Sequence, residues 1–117
     1  MSTRIGLISS AALMASGLAG VMIPERVGAA LDLSTTSPRG RAEIRAGLGG
    51  TYAALGAYAL LSRSPGARRA VGFTWLGAAV ARIGAVKADR PATDWTYWAY
   101  LAGEIGLGAG AILAGES

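Results

Sequence analysis

A chain of 117 residues with 52% hydrophobic and only 15% charged residues is too apolar for an ordinary soluble domain, where roughly a quarter of residues are charged. Eleven Lys and Arg against seven Asp and Glu leave a net charge of +4, and every cation except Lys87 is an arginine. The absence of cysteine and histidine excludes disulfide frameworks, thiolate nucleophiles, the usual haem ligand, most zinc sites and the commonest general base.

The cations fall between the apolar runs and form no aromatic-interleaved patch. They read as juxtamembrane charge that orients helices and touches anionic lipid, not as a nucleic-acid surface. Eighteen glycines would build a poor soluble core but suit membrane helices, where small residues let backbones approach closely.

Arg4 precedes residues 5–23, which carry no charge. At 1.5 Å per residue this run covers roughly 28 Å, close to the hydrocarbon thickness of a bilayer. A cleaved signal peptide competes with that reading, with Arg4 as its basic start and Gly28-Ala29-Ala30 as its small-residue cleavage site. The run exceeds a usual signal-peptide core, and the site lies beyond Pro24-Glu25-Arg26, so a retained first helix is favoured. Pro24 ends that helix. In the connection over 25–38, Val27, Leu31 and Leu33 suit a short helix lying on a membrane surface, and Ser34-Thr35-Thr36-Ser37 marks a loop.

Ser37-Pro38 supplies an N-cap followed by proline at the first helical position, which starts the second helix. Its opening turns carry Arg39, Arg41, Glu43 and Arg45, and residues 46–62 are uncharged. Residues 63–69 form a tight basic connection in which Ser64-Pro65 repeats the start signal, and the third helix then carries Arg82 near its far end. Lys87, Asp89, Arg90, Pro91 and Asp94 occupy the last loop, with Thr93 or Asp94 as the cap of the fourth helix. That helix opens on Trp95, Tyr97, Trp98 and Tyr100, as an interfacial aromatic belt does.

These elements predict an all-α fold, a four-helix transmembrane bundle forming a single domain over residues 1–117. The helices are expected at about 4–23, 38–62, 65–87 and 94–115. Such a chain is multi-pass in the cell membrane with both termini on one side. Counting Lys and Arg alone would put the long loop inside, whereas the basic start and the basic 63–69 loop favour cytoplasmic termini.

Glu104 is the one charge in the last apolar run, and a carboxylate at that depth needs a partner. If helices three and four form a hairpin, Arg82 and Glu104 differ in depth by roughly 6 Å, within reach of an arginine side chain. Glu43 and Arg45 open on the same side, and Tyr97 and Tyr100 add hydroxyls, so these six residues form the candidate polar site. Two readings stand level: a buried ion pair that fixes helix register, and a polar cavity for a small ligand, a lipid headgroup or a proton. Small residues recur at packing spacing, with Gly49, Ala53 and Ala57 on helix two and Gly77, Ala81 and Ala85 on helix three. Helix four offers Ala102, Gly106, Gly110 and Ala114. Gly49, Gly77, Gly106 and Gly110 are the expected close-contact points, inside the bundle or across a dimer.

The segment Gly40-Arg41-Ala42-Glu43-Ile44-Arg45-Ala46-Gly47-Leu48-Gly49-Gly50, with Ala81-Arg82-Ile83-Gly84 and Glu104, resembles a family of small bacterial four-helix membrane proteins. That family is known mainly as a domain of unknown function and is distantly similar to DoxX-like proteins. The resemblance covers nearly the whole chain; it implies a four-helix integral membrane fold and no established activity.

The expectation is a non-enzymatic accessory or self-associating membrane bundle with an Arg82/Glu104 polar pair and no cofactor or metal. Its partners are membrane lipids and either further copies of itself or a larger membrane complex, and no nucleic acid. The alternative is a small transporter or a lipid- or ligand-binding protein that uses Glu104 as a proton or cation site.

Overall fold

The helix starts follow local chemistry. Pro24, Pro38 and Pro65 each open a helix, where the N–H that proline lacks has no helical partner to lose. Ser37 Oγ accepts from Gly40 N at 2.9 Å, and Ser64 Oγ accepts from Ala67 N at 3.3 Å. Asp94 Oδ1 accepts from the backbone N–H groups of Thr96 and Tyr97 at 3.1 and 3.2 Å.

The computed structural model describes residues 2–34, 36–62 and 64–114. Thr35 of the loop signal, Arg63 of the basic connection and residues 115–117 lie outside the described residues. The elements are α1 (Ser2–Met22), α2 (Pro24–Ala30), α3 (Pro38–Glu43), a π-helical stretch (Ile44–Gly50), α4 (Thr51–Ser62), α5 (Pro65–Asp89) and α6 (Trp95–Ala114). No strand occurs among the described residues, so the fold is all-α.

The expected helix over 38–62 is not uniform, because Ile44–Gly50 winds as a π-helix between α3 and α4. The Thr51 N–H bonds to the Ala46 carbonyl five residues back, and the Thr51 hydroxyl donates to the same oxygen at 3.1 Å. Glycines at 47, 49 and 50 make the stretch easy to deform.

The helices sort into two compact units, Met1–Ser9 with Ser62–Ser117, and Ser10–Leu61. In the first unit α5 and α6 run antiparallel, with Gly72 opposite Gly108 and Ile112, and Arg82 opposite Glu104. A β-carbon on Gly72 would stand 2.8 Å from the Gly108 carbonyl oxygen and 3.0 Å from the Ile112 nitrogen, so the backbones nearly touch. The start of α1 joins them: Ser9 Oγ donates to the Leu107 carbonyl at 2.9 Å, and Trp75 Nε1 donates to the Ser9 carbonyl at 3.3 Å. In the second unit Gly17 and Gly20 of α1 press on Gly49 and Ala53, and Gly56 presses on Ser10 and Met14.

Leu13, Ile44, Val71 and several alanines are buried together with Ser9, Ser10, Arg68 and Glu104, while Leu61, Phe73, Val80 and Leu113 are 64–86% exposed. Among the described residues, one helix is long and apolar enough to cross a membrane, Arg4–Met22. The expectation of four spans narrows to that one on this measure, for three local reasons. The π stretch divides the path through 38–62 into short α-helical pieces. Helix α5 carries Arg68, Arg69, Arg82 and Lys87, and α6 opens on Trp95, Tyr97, Trp98 and Tyr100.

Candidate polar site

Helix periodicity sets which side chains can meet in the first unit. Residues 68, 72, 75, 79 and 82 of α5 recur at spacings of three and four, as do 104, 108 and 111 of α6, so each set lies along one face. Arg68, Gly72 and Ala79 are buried on the first face, and Glu104, Gly108 and Ala111 on the second. The Gly72–Gly108 approach brings the two faces together. Further toward the loop, ten residues beyond Gly72 on α5 and one turn before Gly108 on α6, Arg82 meets Glu104.

The guanidinium grips the carboxylate with two parallel bonds. Arg82 Nε donates to Glu104 Oε1 at 2.9 Å, and Nη2 donates to Oε2 at 2.8 Å. This fork-to-fork geometry is the strongest form of the pair. The Glu104 side chain is 9% exposed and that of Arg82 21%. Side chains on a helix lean toward its N-terminus, so Arg82 leans away from the 90–94 connection while Glu104 leans toward it, and they meet between. Arg82 is therefore not extended toward the loop.

Two tyrosines complete the enclosure. The Arg82 guanidinium carbon lies 5.0 Å from the Tyr97 ring centre and 5.7 Å from that of Tyr100, both within cation–π range. Tyr97 also donates its hydroxyl to the Arg82 backbone carbonyl at 2.7 Å and packs edge-on against Trp98. The N-terminal turn of α6 is itself set by Asp94. Hydrogen bonds from the Thr96 hydroxyl and from the Tyr97 and Thr96 backbone hold the exposed Asp94 carboxyl below its usual value of 3.8.

Of the six expected site residues, Arg82, Tyr97, Tyr100 and Glu104 come together. Glu43 and Arg45 belong to the second unit and have their own partners there. Glu43 lies 3.5 Å from Arg39, one turn earlier, with both side chains exposed. Arg45 donates from Nη1 to the Val21 carbonyl.

Among the expected packing glycines, Gly49 makes a close contact, with Val21 N 2.7 Å from where its β-carbon would be, and Gly110 faces the Ile5 side chain. Gly77 and Gly106 do not, since nothing stands within 4 Å of either. The contact face of α6 runs through Gly108, one phase away from the G-x-x-x-G match at 106 and 110. The signal that finds it is Glu104 itself: a carboxylate that must face protein fixes the helix phase, and Gly108 and Ala111 follow at i+4 and i+7.

Three further residues were not singled out as site residues from sequence. Arg68, expected in the tight basic connection over 63–69, lies within α5 and is 5% exposed. Ser9 is fully buried, and Trp75 bonds to it. Their shared phase with Arg82 or with Gly17 and Gly20 is the sequence signal. Among the described residues no three or more carboxylates gather where they could hold a metal ion.

The model of one family, described as a domain of unknown function (DUF4345), matches residues 2–114. No curated protein and no solved structure matches the chain.

Proposed function

Since the chain belongs to the DUF4345 family, a family of unknown function, we propose that it is a small multi-pass protein of the cell membrane, without enzymatic activity. It acts as an accessory subunit or a self-associating bundle, with lipids and further protein subunits as partners. The exposed apolar side chains support the membrane: Leu61, Phe73, Val80 and Leu113 face outward while Ser9, Ser10 and Glu104 face inward. So do the glycine-to-backbone contacts, the form helix association takes where no hydrophobic force acts between helices. Trp95 and Trp98, both exposed at the start of α6, suit a membrane–water boundary.

The observation that carries the reading is the bidentate Arg82–Glu104 pair. Both carboxylate oxygens are engaged by one guanidinium, which favours a pair that fixes the register of α5 against α6 over a carboxylate that exchanges protons or cations. The transporter reading needs Glu104 to release Arg82 during each cycle.

A double-mutant cycle separates the two. Under the register role, Glu104→Gln leaves the half-buried Arg82 without its carboxylate and destabilises the chain by about 2 kcal/mol, and adding Arg82→Gln restores part of the loss. Under the transporter role, Glu104→Gln leaves stability unchanged and abolishes a pH-dependent binding signal. Unchanged stability with unchanged binding would sink both. Native mass spectrometry of the protein gently extracted from its own membranes then identifies a stoichiometric partner or a homo-oligomer.

A further inference from the structure

The segment 40–50, which carries the sequence resemblance, plays no part in the Arg82–Glu104 pair. Its structural counterpart is a cleft of about 240 Å³ in the second unit, lined by Met22, Ile23, Pro24, Glu25, Arg26 and Arg45. We propose that this cleft binds a phosphate group, and that the group it takes in the cell is the headgroup phosphate of an anionic phospholipid.

Three observations carry this. The first is charge. Arg26 and Arg45 both line the cleft, and its one acid, Glu25, lies 3.8 Å from Arg41 Nε. With Glu25 offset by Arg41, the cleft keeps the two guanidiniums in excess, and guanidinium matches phosphate with paired donors. The second is placement of the donors. Arg45 sits in the π-helical stretch and donates to the Val21 carbonyl, at the end of α1. A helix leaves its last carbonyls without helical partners, so this bond anchors the Arg45 guanidinium at the cleft wall through one of its donors. Its remaining N–H donors keep their direction without a further entropy loss on binding. The third is the wall itself. Met22 and Ile23 are 73% and 45% exposed and stand beside the two arginines. Apolar surface next to paired cations fits a phosphate that carries hydrocarbon. The volume lies below the range of drug-sized pockets, which suits a headgroup. The position agrees too, because the cleft begins where the apolar helix Arg4–Met22 ends. The lipid assignment rests on α1 crossing a membrane; the phosphate site does not.

The test uses the full chain in mild detergent, with native mass spectrometry against phosphatidylglycerol, phosphatidylcholine and inorganic phosphate. Wild type is expected to retain phosphatidylglycerol in preference to phosphatidylcholine. Arg26→Gln is expected to weaken phosphatidylglycerol roughly five-fold, the value of about one surface arginine against an anionic headgroup. No ion pair of Arg26 occurs among the described residues, so this variant keeps the fold, which far-ultraviolet circular dichroism checks. Arg45→Gln should weaken binding further, though it also removes the bond to Val21. Millimolar inorganic phosphate that displaces the lipid shows that the site takes free phosphate as well; lipid that stays bound shows that the hydrocarbon contributes. Either result supports the site. Equal retention of both lipids with no binding of inorganic phosphate overturns it. So does an Arg26→Gln variant that binds phosphatidylglycerol like wild type, which reduces Arg45 to a cap on α1. Resistance of the native protein to carbonate extraction is read separately. A carbonate-resistant chain with neither a lipid preference nor binding of inorganic phosphate refutes only the phosphate site. A carbonate-soluble chain that binds inorganic phosphate through Arg26 refutes only the membrane reading.

Discussion

Alanine in place of Gly72 and alanine in place of Gly77 are the same substitution in the same helix, five positions apart, and they should move stability in opposite directions. Each removes a glycine from the interior of α5, which by helix propensity alone stabilises by about 0.8–1 kcal/mol. At Gly77 nothing stands within 4 Å of the new methyl group, so that gain is realised. At Gly72 the methyl group would lie 2.6 Å from Ile112 Cγ1, 2.8 Å from the Gly108 carbonyl oxygen and 3.0 Å from the Ile112 nitrogen. Ile112 can rotate, but the carbonyl and the nitrogen are backbone and retreat only if α6 moves. Restoring ordinary contact needs a shift of roughly half an ångström, and overpacking of this kind costs about 1–3 kcal/mol. Propensity cancels in the comparison, so the stability difference between the variants is the overpacking cost alone. Denaturant or SDS titration followed by tryptophan fluorescence measures it. A Gly72→Ala variant as stable as Gly77→Ala would refute the close approach of α5 and α6. The same displacement also lengthens the Arg82–Glu104 bonds, so Gly72→Ala should lower the coupling energy of that pair.

Tyr97→Phe keeps the ring over Arg82 and removes the hydroxyl bond to its carbonyl, for an expected loss of about 0.5–1.5 kcal/mol in the same titration. Asp94→Ala removes the acceptor for the first N–H groups of α6 and should reduce stability at neutral pH. Because the Asp94 carboxyl titrates below 3.8, its contribution is complete above that value and fades as pH falls through the lowered one. The gap between wild type and Asp94→Ala should therefore be constant from pH 7 to about 5 and narrow below pH 4; a gap that widens in acid contradicts the assignment. Arg90 ends α5 in the left-handed conformation at φ 48° and ψ 52°. Glycine adopts that conformation without steric cost, so Arg90→Gly should stabilise by about 1 kcal/mol in thermal unfolding.

Much of the local structure is legible in the chain. Ser37-Pro38, Ser64-Pro65 and Asp94 announce helix starts through groups that bond the first free N–H donors, a purely local matter. The reach between Arg82 and Glu104 is likewise legible, since helical rise alone places them within one side-chain length. Facing is another matter. Residue type points to the ridge through Gly106 and Gly110, yet in an alanine- and glycine-rich helix every face is small enough to pack. Only the costly group, Glu104, tells the faces apart. Arg68 shows the same limit from the other side: its place beside a basic connection says nothing of the direction it takes, and helix phase turns it inward. The π stretch is harder to read: glycines at 47, 49 and 50 permit it, but the contacts that accompany it, Gly49 against Val21 and Arg45 to the Val21 carbonyl, reach twenty-four or more positions away in sequence.

That π stretch also sets where the chain tolerates a change of length. A π-helix turns less per residue than an α-helix, so a segment between 44 and 50 that loses one residue and relaxes to the commoner geometry makes up most of the lost turn. Ala53 and Gly56 would then keep facing α1. Inside α4 there is no such slack, and losing one residue ahead of Gly56 rotates everything after it by about 100°. Ala57 would take the place of Gly56, where a β-carbon stands 2.5 Å from the Met14 nitrogen. A deletion among residues 91–93 shortens a connection without rotating any helix face by a fixed angle. Single-residue deletions should thus be tolerated within 44–50 and between α5 and α6 and rejected inside α4, a rule set by residue count.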